Sequence, residues 1–388
     1  MRKTQNVPQG SEYYFRVANS FRIGKYLCGL VFALFMIMML FVYGDKITYN
    51  NFRYMLKDID AAALLRTDAT FASVSYQTED PSFAALNGNL VIADKGTVTL
   101  YNPAGIEVYS VPFTGKSVAL ASDGKYLLAY NPGGQTFLLC NSITKLVSGT
   151  ATGSLRAADV GKSGAFALAV DSNTTRYAVE VYNSSFSHSA TYGVNDYIVD
   201  VAISDDGRSL AILTFTGTGD VPDTTLRLGV VGQESYSYVQ TFSGEFPVSI
   251  DWSGEAVTVL TDQAAYFYSA DGTLQTRYSV EGRTLAAVCT SDSHYAIATS
   301  KNGETMLSIF DRSGNMRYNE RVSDWIRDMT FCEDSLLLLS SDRAVRLTLD
   351  DFLITETVVD DALCILGIEN YGLTCGRKQA SAIFVEEK

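Results

Sequence analysis

Residues 199–244 read VDVAISDDGRSLAILTFTGTGDVPDTTLRLGVVGQESYSYVQTFSG. An apolar run meets an Asp-Asp-Gly turn, and a second apolar run follows. A short loop leads to TLRLGVV, and a turn leads to YSYVQTFSG. Glycine takes positive φ without a Cβ clash, and aspartate accepts bonds from turn amides, so the stretch reads as a four-stranded antiparallel meander. Residues 117–149 (SVALASDGKYLLAY, QTFLLCN, KLVSG) and 246–282 (FPVSIDWSGEAVTVL, AAYFYSADG, LQTRYSVEG) repeat the layout.

Weaker copies begin near Phe83, Arg156, Leu285, Arg327 and Leu363, giving eight units about 40 residues apart. That period, with four strands per unit, predicts an all-β propeller of eight blades over residues 70–388; seven blades is the next count, and a β-sandwich the third choice. Runs such as Leu127-Leu128-Ala129 and Leu336–Leu339 are apolar throughout, as sheets covered on both faces require. The last unit offers only three strands, 362–366, 372–375 and 382–385. Residues 70–76 can supply the fourth, so the two ends of the domain share a blade and close the ring.

The turn-and-strand pattern at Ala121–Leu128 and Ser204–Ala211 resembles WD40-like and quinoprotein-like propeller repeats. Over 26–388 the layout is also similar to an uncharacterised family of single-pass membrane proteins from clostridial Gram-positive bacteria. The resemblance implies a propeller held outside a membrane and carries no catalytic residue over. The Gly-His and Trp-Asp pairs of true WD40 repeats are missing.

Residues 26–43, YLCGLVFALFMIMMLFVY, hold no charge and no proline. As a helix they extend about 27 Å, near the thickness of a hydrocarbon core. No small-residue cleavage site follows, so the run is predicted to be a transmembrane anchor rather than a signal peptide. Residues 1–25 carry Arg2, Lys3, Arg16, Arg22 and Lys25 against Glu12 alone, which predicts a cytoplasmic tail and an extracytoplasmic body. Between them, 44–69 is predicted to form a juxtamembrane stalk, with a short amphipathic helix over 50–66.

The chain has 388 residues, 30 Lys and Arg, 43 Asp and Glu, and a net charge of −13, which argues against a nucleic-acid partner. Its two histidines, His188 and His294, have no ligand-spaced neighbours, so no metal or cofactor is expected. There is no Gly-x-Ser-x-Gly elbow, and Gly161-Lys162-Ser163 lacks the glycine a phosphate loop needs. Ser269-Ala270-Asp271-Gly272-Thr273 approaches the turns of sialidase-type propellers but lacks their spacer and tryptophan.

Two pairs stand out. Asp200 and Asp328 occupy matching places near the starts of first strands, so they are candidates to bind a cationic group or partner at a channel mouth; solvated strand-end acids are the alternative. Cys364 and Cys375 face each other if Glu369-Asn370 is a two-residue turn, at a separation a disulfide can bridge; small buried hydrophobes are the alternative. The expected function is a non-catalytic scaffold in the cell envelope, binding an envelope protein or a wall component. A glycan- or small-ligand-binding protein, or an enzyme using the propeller channel, is the alternative.

Overall fold

The computed structural model describes residues 9–43, 73–77, 80–217, 221–322, 324–368 and 371–384; within the first segment, side chains are described for 17–35, 37 and 38. The chain forms two separate units, one containing the N-terminal helix and the other the strands.

The helix α1, Gln9–Tyr43, runs without a break through both the predicted tail and the predicted anchor. The tail is thus helical from Gln9, which a boundary at residue 25 did not anticipate. The membrane crossing expected of 26–43 is not borne out: among the described residues, no helix is long and apolar enough to cross a membrane. The side chains of Met36 and of 39–43 in that run, and the stalk with its predicted helix over 50–66, lie outside the described residues.

The second unit holds eight four-stranded antiparallel sheets. Blades one to seven span 82–112, 119–150, 155–194, 197–243, 247–279, 284–322 and 328–358. Blade eight takes Ala362–Ile368, Tyr371–Gly376 and Gln379–Ile383 from the end of the chain and Val74–Ser75 from before blade one. Each first strand starts within two residues of the place the repeat predicted. The closing strand pairs Val74 with Ala380 and Ser75 with Gln379. One predicted bound is corrected: the partner of the closing strand starts at Gln379 rather than at residue 382, while of the predicted closing strand 70–76, residues 74 and 75 are paired and 70–72 lie outside the described residues.

First strands touch first strands at seven of the eight seams, including blade eight to blade one, so they line the centre of a closed ring. Second and third strands are the most buried: Asn89–Ala93, Ser335–Leu339 and most of Phe166–Asp171 are wholly covered by neighbouring blades. Outer strands such as Glu107–Pro112 and Leu274–Ser279 alternate exposed with half-buried residues. Apolar clusters fill the seams; Ala202, Leu213, Ile250, Trp252 and Val259 pack between blades four and five.

The predicted turns form as their chemistry requires. Gly207 has a φ of 72°, and a Cβ there would lie 2.3 Å from that of Ala165. Asp206 Oδ1 accepts from the Arg208 amide at 3.0 Å, and Asp123 Oδ1 accepts from the Tyr126 amide at 2.6 Å. In five blades a bulge interrupts the pairing near the start of the first strand, as between Ile198 and Asp200 and between Ala362 and Cys364. A bulge bends the strand and re-aims the residues after it.

Candidate functional site: the inner strands and one face of the ring

Four inner-strand carboxylates reach onto the next blade. Asp159 accepts from the Ile203 amide at 2.8 Å, Asp200 from the Ile250 amide at 3.0 Å, and Asp328 from the Ile365 amide at 2.9 Å. The second oxygens of Asp200 and Asp328 each take the amide of the following residue at 2.9 Å. Asp251 instead meets side chains of blade six, accepting from Thr290 Oγ1 at 3.0 Å and from Arg312 Nη1 at 2.5 Å. An inner strand has no partner strand on its channel side, so its outward amides need acceptors, and these carboxylates provide them.

The predicted pair therefore occupies equivalent positions. Asp200 is fourth in Tyr197–Ile203, and Asp328 is first in Asp328–Cys332. Neither is a solvated strand-end acid: both are half-buried, with both oxygens held by backbone amides. They are not brought together, because they sit in blades four and seven. Asp200 instead lies in the field of Asp159 and Asp251, which sequence reading missed. The available signal was an acid in three successive first strands, AADV, VDVA and SIDW.

Burial pushes the Asp159 carboxyl up to about 8; the amides of Ile203 and Val160 oppose this, and the charges of Asp200 and Asp251 add to it. Burial likewise raises Asp200 to about 6, against the amides of Ile250 and Val201 and with Asp251 adding. Asp328 is also raised by burial. The Tyr130 phenol is pushed up to about 12, first by burial and then by Asp200 and Asp159. Among the described residues, no group of three or more His, Cys, Asp or Glu can hold a metal ion.

One mouth of the ring carries a strap. Lys162, in the first turn of blade three, bonds Asp205 of blade four at 3.1 Å and Asp292 of blade six at 2.7 Å. Each of these residues lies between the first and second strands of its blade, so all three occupy the same face.

The opposite face carries aromatic rings. In an antiparallel meander, the start of the first strand, the end of the second and the start of the third share one edge. Tyr197 and Phe215 of blade four, Arg176 and Tyr177 of blade three, and Phe246 before blade five all stand on that edge. The Arg176 guanidinium lies 4.2 Å from the centre of the Tyr197 ring. Tyr177 to Tyr197, Tyr197 to Phe215, and Phe215 to Phe246 are 6.1, 6.4 and 5.4 Å apart. Arg176, Asn195, Asp196, Tyr197, Phe215 and Thr216 enclose a cleft of about 320 Å³. Its acid, Asp196, is neutralised by Arg227, whereas Arg176 has no ion pair with any described residue. Tyr197 is 45% exposed, Phe246 51% and Val221 54%. No motif announced this patch, because turns of three blades assemble it.

The pairing also places Cys364 directly opposite Cys375, with both thiols free. The strands close with Ile368 against Tyr371. The predicted turn residues Glu369 and Asn370 lie outside the described residues.

Residues 67–369 match a family of unknown function, DUF5711. The chain belongs to this family. No curated protein sequence matches it. Among solved structures, the computationally designed Ika8 protein is similar with a TM-score of 0.63, at 12% identity over 81% of this chain and 99% of that one. BamB from Moraxella catarrhalis aligns with a TM-score of 0.53, at 10% identity over 81% of this chain and 98% of that one. The C-terminal WD40 domain of Sif2 aligns with a TM-score of 0.50, at 19% identity over 67% and 78%. These likenesses support the propeller fold and its WD40-like repeats.

Proposed function

We propose that this DUF5711 chain is a membrane-anchored, non-catalytic scaffold whose propeller docks a partner protein on the face bearing Arg176, Tyr197, Phe215 and Phe246. The observation that carries this reading is the exposed aromatic run with a ring-stacked arginine at its end that has no ion pair with any described residue. Aromatic residues and arginine are the types enriched in interface cores, and a contiguous exposed apolar patch is unusual on a surface without a partner. The partner's complementary segment is apolar with a carboxylate, since Arg176 stands beside the rings with no ion pair among the described residues. A cell-envelope protein fits this chemistry better than a neutral wall glycan, which would leave the guanidinium unanswered.

Anchoring rests on α1. Leu27, Leu30, Val31, Phe32, Leu34, Phe35, Ile37 and Met38 are all at least half exposed, and they spread over more than half of the helix circumference. So broad an apolar surface needs an apolar surrounding, which a bilayer supplies. With the basic flank in the cytoplasm, the propeller lies outside the membrane.

The test is site-specific photocross-linking in cells, with the probe at Tyr197 or Phe246, and at Arg208 on the opposite face. A discrete adduct from the first two positions, lost on Arg176→Ala and missing from Arg208, is the expected result. Adducts of equal yield from both faces, or none from Tyr197 and Phe246, would discard the docking face. Protease treatment of whole cells should degrade residues 80–384; protection in cells with cleavage in lysates would overturn the orientation.

Ligand chemistry in the channel is the second reading. It is favoured by one feature, the buried Asp159 carboxyl, its pKa raised by burial, grouped with Asp200, Asp251 and Tyr130. Against it, the Asp159 and Asp200 oxygens are already bonded to strand amides, and the Lys162 strap crosses one mouth.

A further inference from the structure

The ring closes at blade eight, and its pairing puts four residues in one row. Cys364 pairs with Cys375, Cys375 with Ala380, and Ala380 with Val74. The row thus runs from the inner strand, across the blade, to the two-residue strand that joins the front of the domain to its end. Val74, Cys375 and Ala380 lie in one cluster with Leu90 and Ile92 of blade one, and Cys364 packs against it. Both sulfurs therefore sit on the face of blade eight that meets blade one. Three other cysteines of the propeller are placed elsewhere. Cys332 packs with Ile365 and Leu337 on the other face of blade eight, its Sγ 3.3 Å from the Tyr371 carbonyl. Cys140 is buried in the seam of blades one and two, and Cys289 lies in the inner strand of blade six.

We infer that Cys364 and Cys375 form a reversible disulfide that staples the first two strands of blade eight beside the closing seam, made by exchange with the disulfide of an external thiol–disulfide oxidant. Directly opposed strand residues have Cβ atoms about 4.5–5.5 Å apart, and a disulfide needs roughly 3.5–4.5 Å, so only a small inward adjustment is required. The order of events follows exposure. Cys364 is partly exposed and Cys375 is fully covered, so the oxidant reaches Cys364 first. The Cys364 thiolate attacks one sulfur of the oxidant's disulfide and expels a thiolate. The deprotonated Cys375 then attacks the Cys364 sulfur and expels the oxidant's second half. Two thiol protons and two electrons pass to the oxidant, which leaves as two thiols, and one Sγ–Sγ bond replaces its S–S bond. The hydrogen bond with Cys364, together with burial, holds the Cys375 thiol well above its usual range, which makes the second step slow and faster in alkali.

This inference is independent of the docking face, and so is its test. The full-length chain in detergent is treated with oxidised glutathione and then with excess reductant. The expected results are a mass loss of about 2 Da, a cross-linked peptide pair containing 364 and 375, and a thermal midpoint several degrees above that of the reduced chain. Cys364→Ser should abolish all three. Should that variant fail to fold, the reduced and oxidised wild-type chains carry the comparison alone. Hydrogen exchange should slow at Val74 and Ala380 on oxidation and nowhere in blade four. A glutathione adduct that stays on Cys364 without resolving, a bridge involving Cys332, or an unchanged midpoint after bridging would each overturn the staple.

Discussion

The seam between blades four and five and the seam between blades eight and one are built on the same strand geometry and held differently. In the first, Asp200 follows the inner-strand bulge and takes two amides, one from its own strand and one from the next blade. In the second, Cys364 follows the corresponding bulge and has no carboxylate to offer. The closing seam relies instead on the apolar cluster, on the pairs made by Val74 and Ser75, and on the Tyr76 hydroxyl donating to the Gly376 carbonyl at 2.6 Å. Continuous chain joins blades four and five, so a carboxylate there adds to a seam already tethered. The ends joined at blade eight have only non-covalent bonds between them. The closing seam is therefore the place where the ring opens first, and the acid-stapled seams are the places where pH acts.

The largest effect should come from breaking closure. Val74 is 4% exposed, and Val74→Asp places a charge in the seam with no partner. A cost of roughly 3–5 kcal/mol is expected, against near zero for Val239→Asp on an exposed outer strand. Denaturant unfolding compares the two. Similar losses would mean that the closing strand is not special.

The next effect is pH, and its sign follows from linkage. The Asp159 carboxyl is raised from 3.8 to about 8, so the folded chain binds a proton the unfolded chain releases. Its contribution is complete below about pH 4 and is lost as pH rises through about 8, with a slope of at most about 1.4 kcal/mol per pH unit. Asp200 adds a weaker loss in the same direction, between about pH 4 and 6. Asp159→Asn, neutral at every pH, should match the wild type below about pH 4 and exceed its stability near pH 8. Parallel stability curves for the two proteins would remove the protonated carboxyl from the account.

The third effect separates acceptor from charge. Asp200→Ala leaves the amides of Val201 and Ile250 without acceptors, at a cost of about 1–3 kcal/mol. Asp200→Asn keeps an acceptor oxygen and should cost less than half of that. An equal loss in both variants would show that the charge, not the bond, holds the seam.

The fold was legible because its determinants are local. Asp206-Gly207 dictates a turn wherever it occurs, and eight such units at an even period leave little choice but a ring. The shared last blade was legible because 362–385 falls one strand short. The site was less legible, because its parts are local to nothing. Asp200 could be singled out by position, but its partner is an amide of the next blade, 50 residues on. Arg176, Tyr197, Phe215 and Phe246 come from four separate connections, and only the ring brings their side chains into one row. The extent of α1 was misjudged for a different reason: residues 9–25 carry six aromatic or charged side chains before Arg22 that mask a helical period.

The smallest effect tests the face opposite the rings. Lys162 is 39% exposed and Asp292 76%, so solvent screens their attraction, and Lys162→Ala should change stability by less than about 1 kcal/mol. What the substitution should change is access. If the strap closes one mouth, removing it admits solvent to the inner strands from that side, and hydrogen exchange should quicken at the Ile203 and Ile250 amides, which Asp159 and Asp200 hold. The amides of the closing strand should keep their rate, because that seam is sealed by apolar packing and not by the strap. Faster exchange at Val74 and Ser75 together with Ile203 would instead mean that the strap tensions the whole ring, and the contrast between stapled and closing seams would fail at its weakest bond.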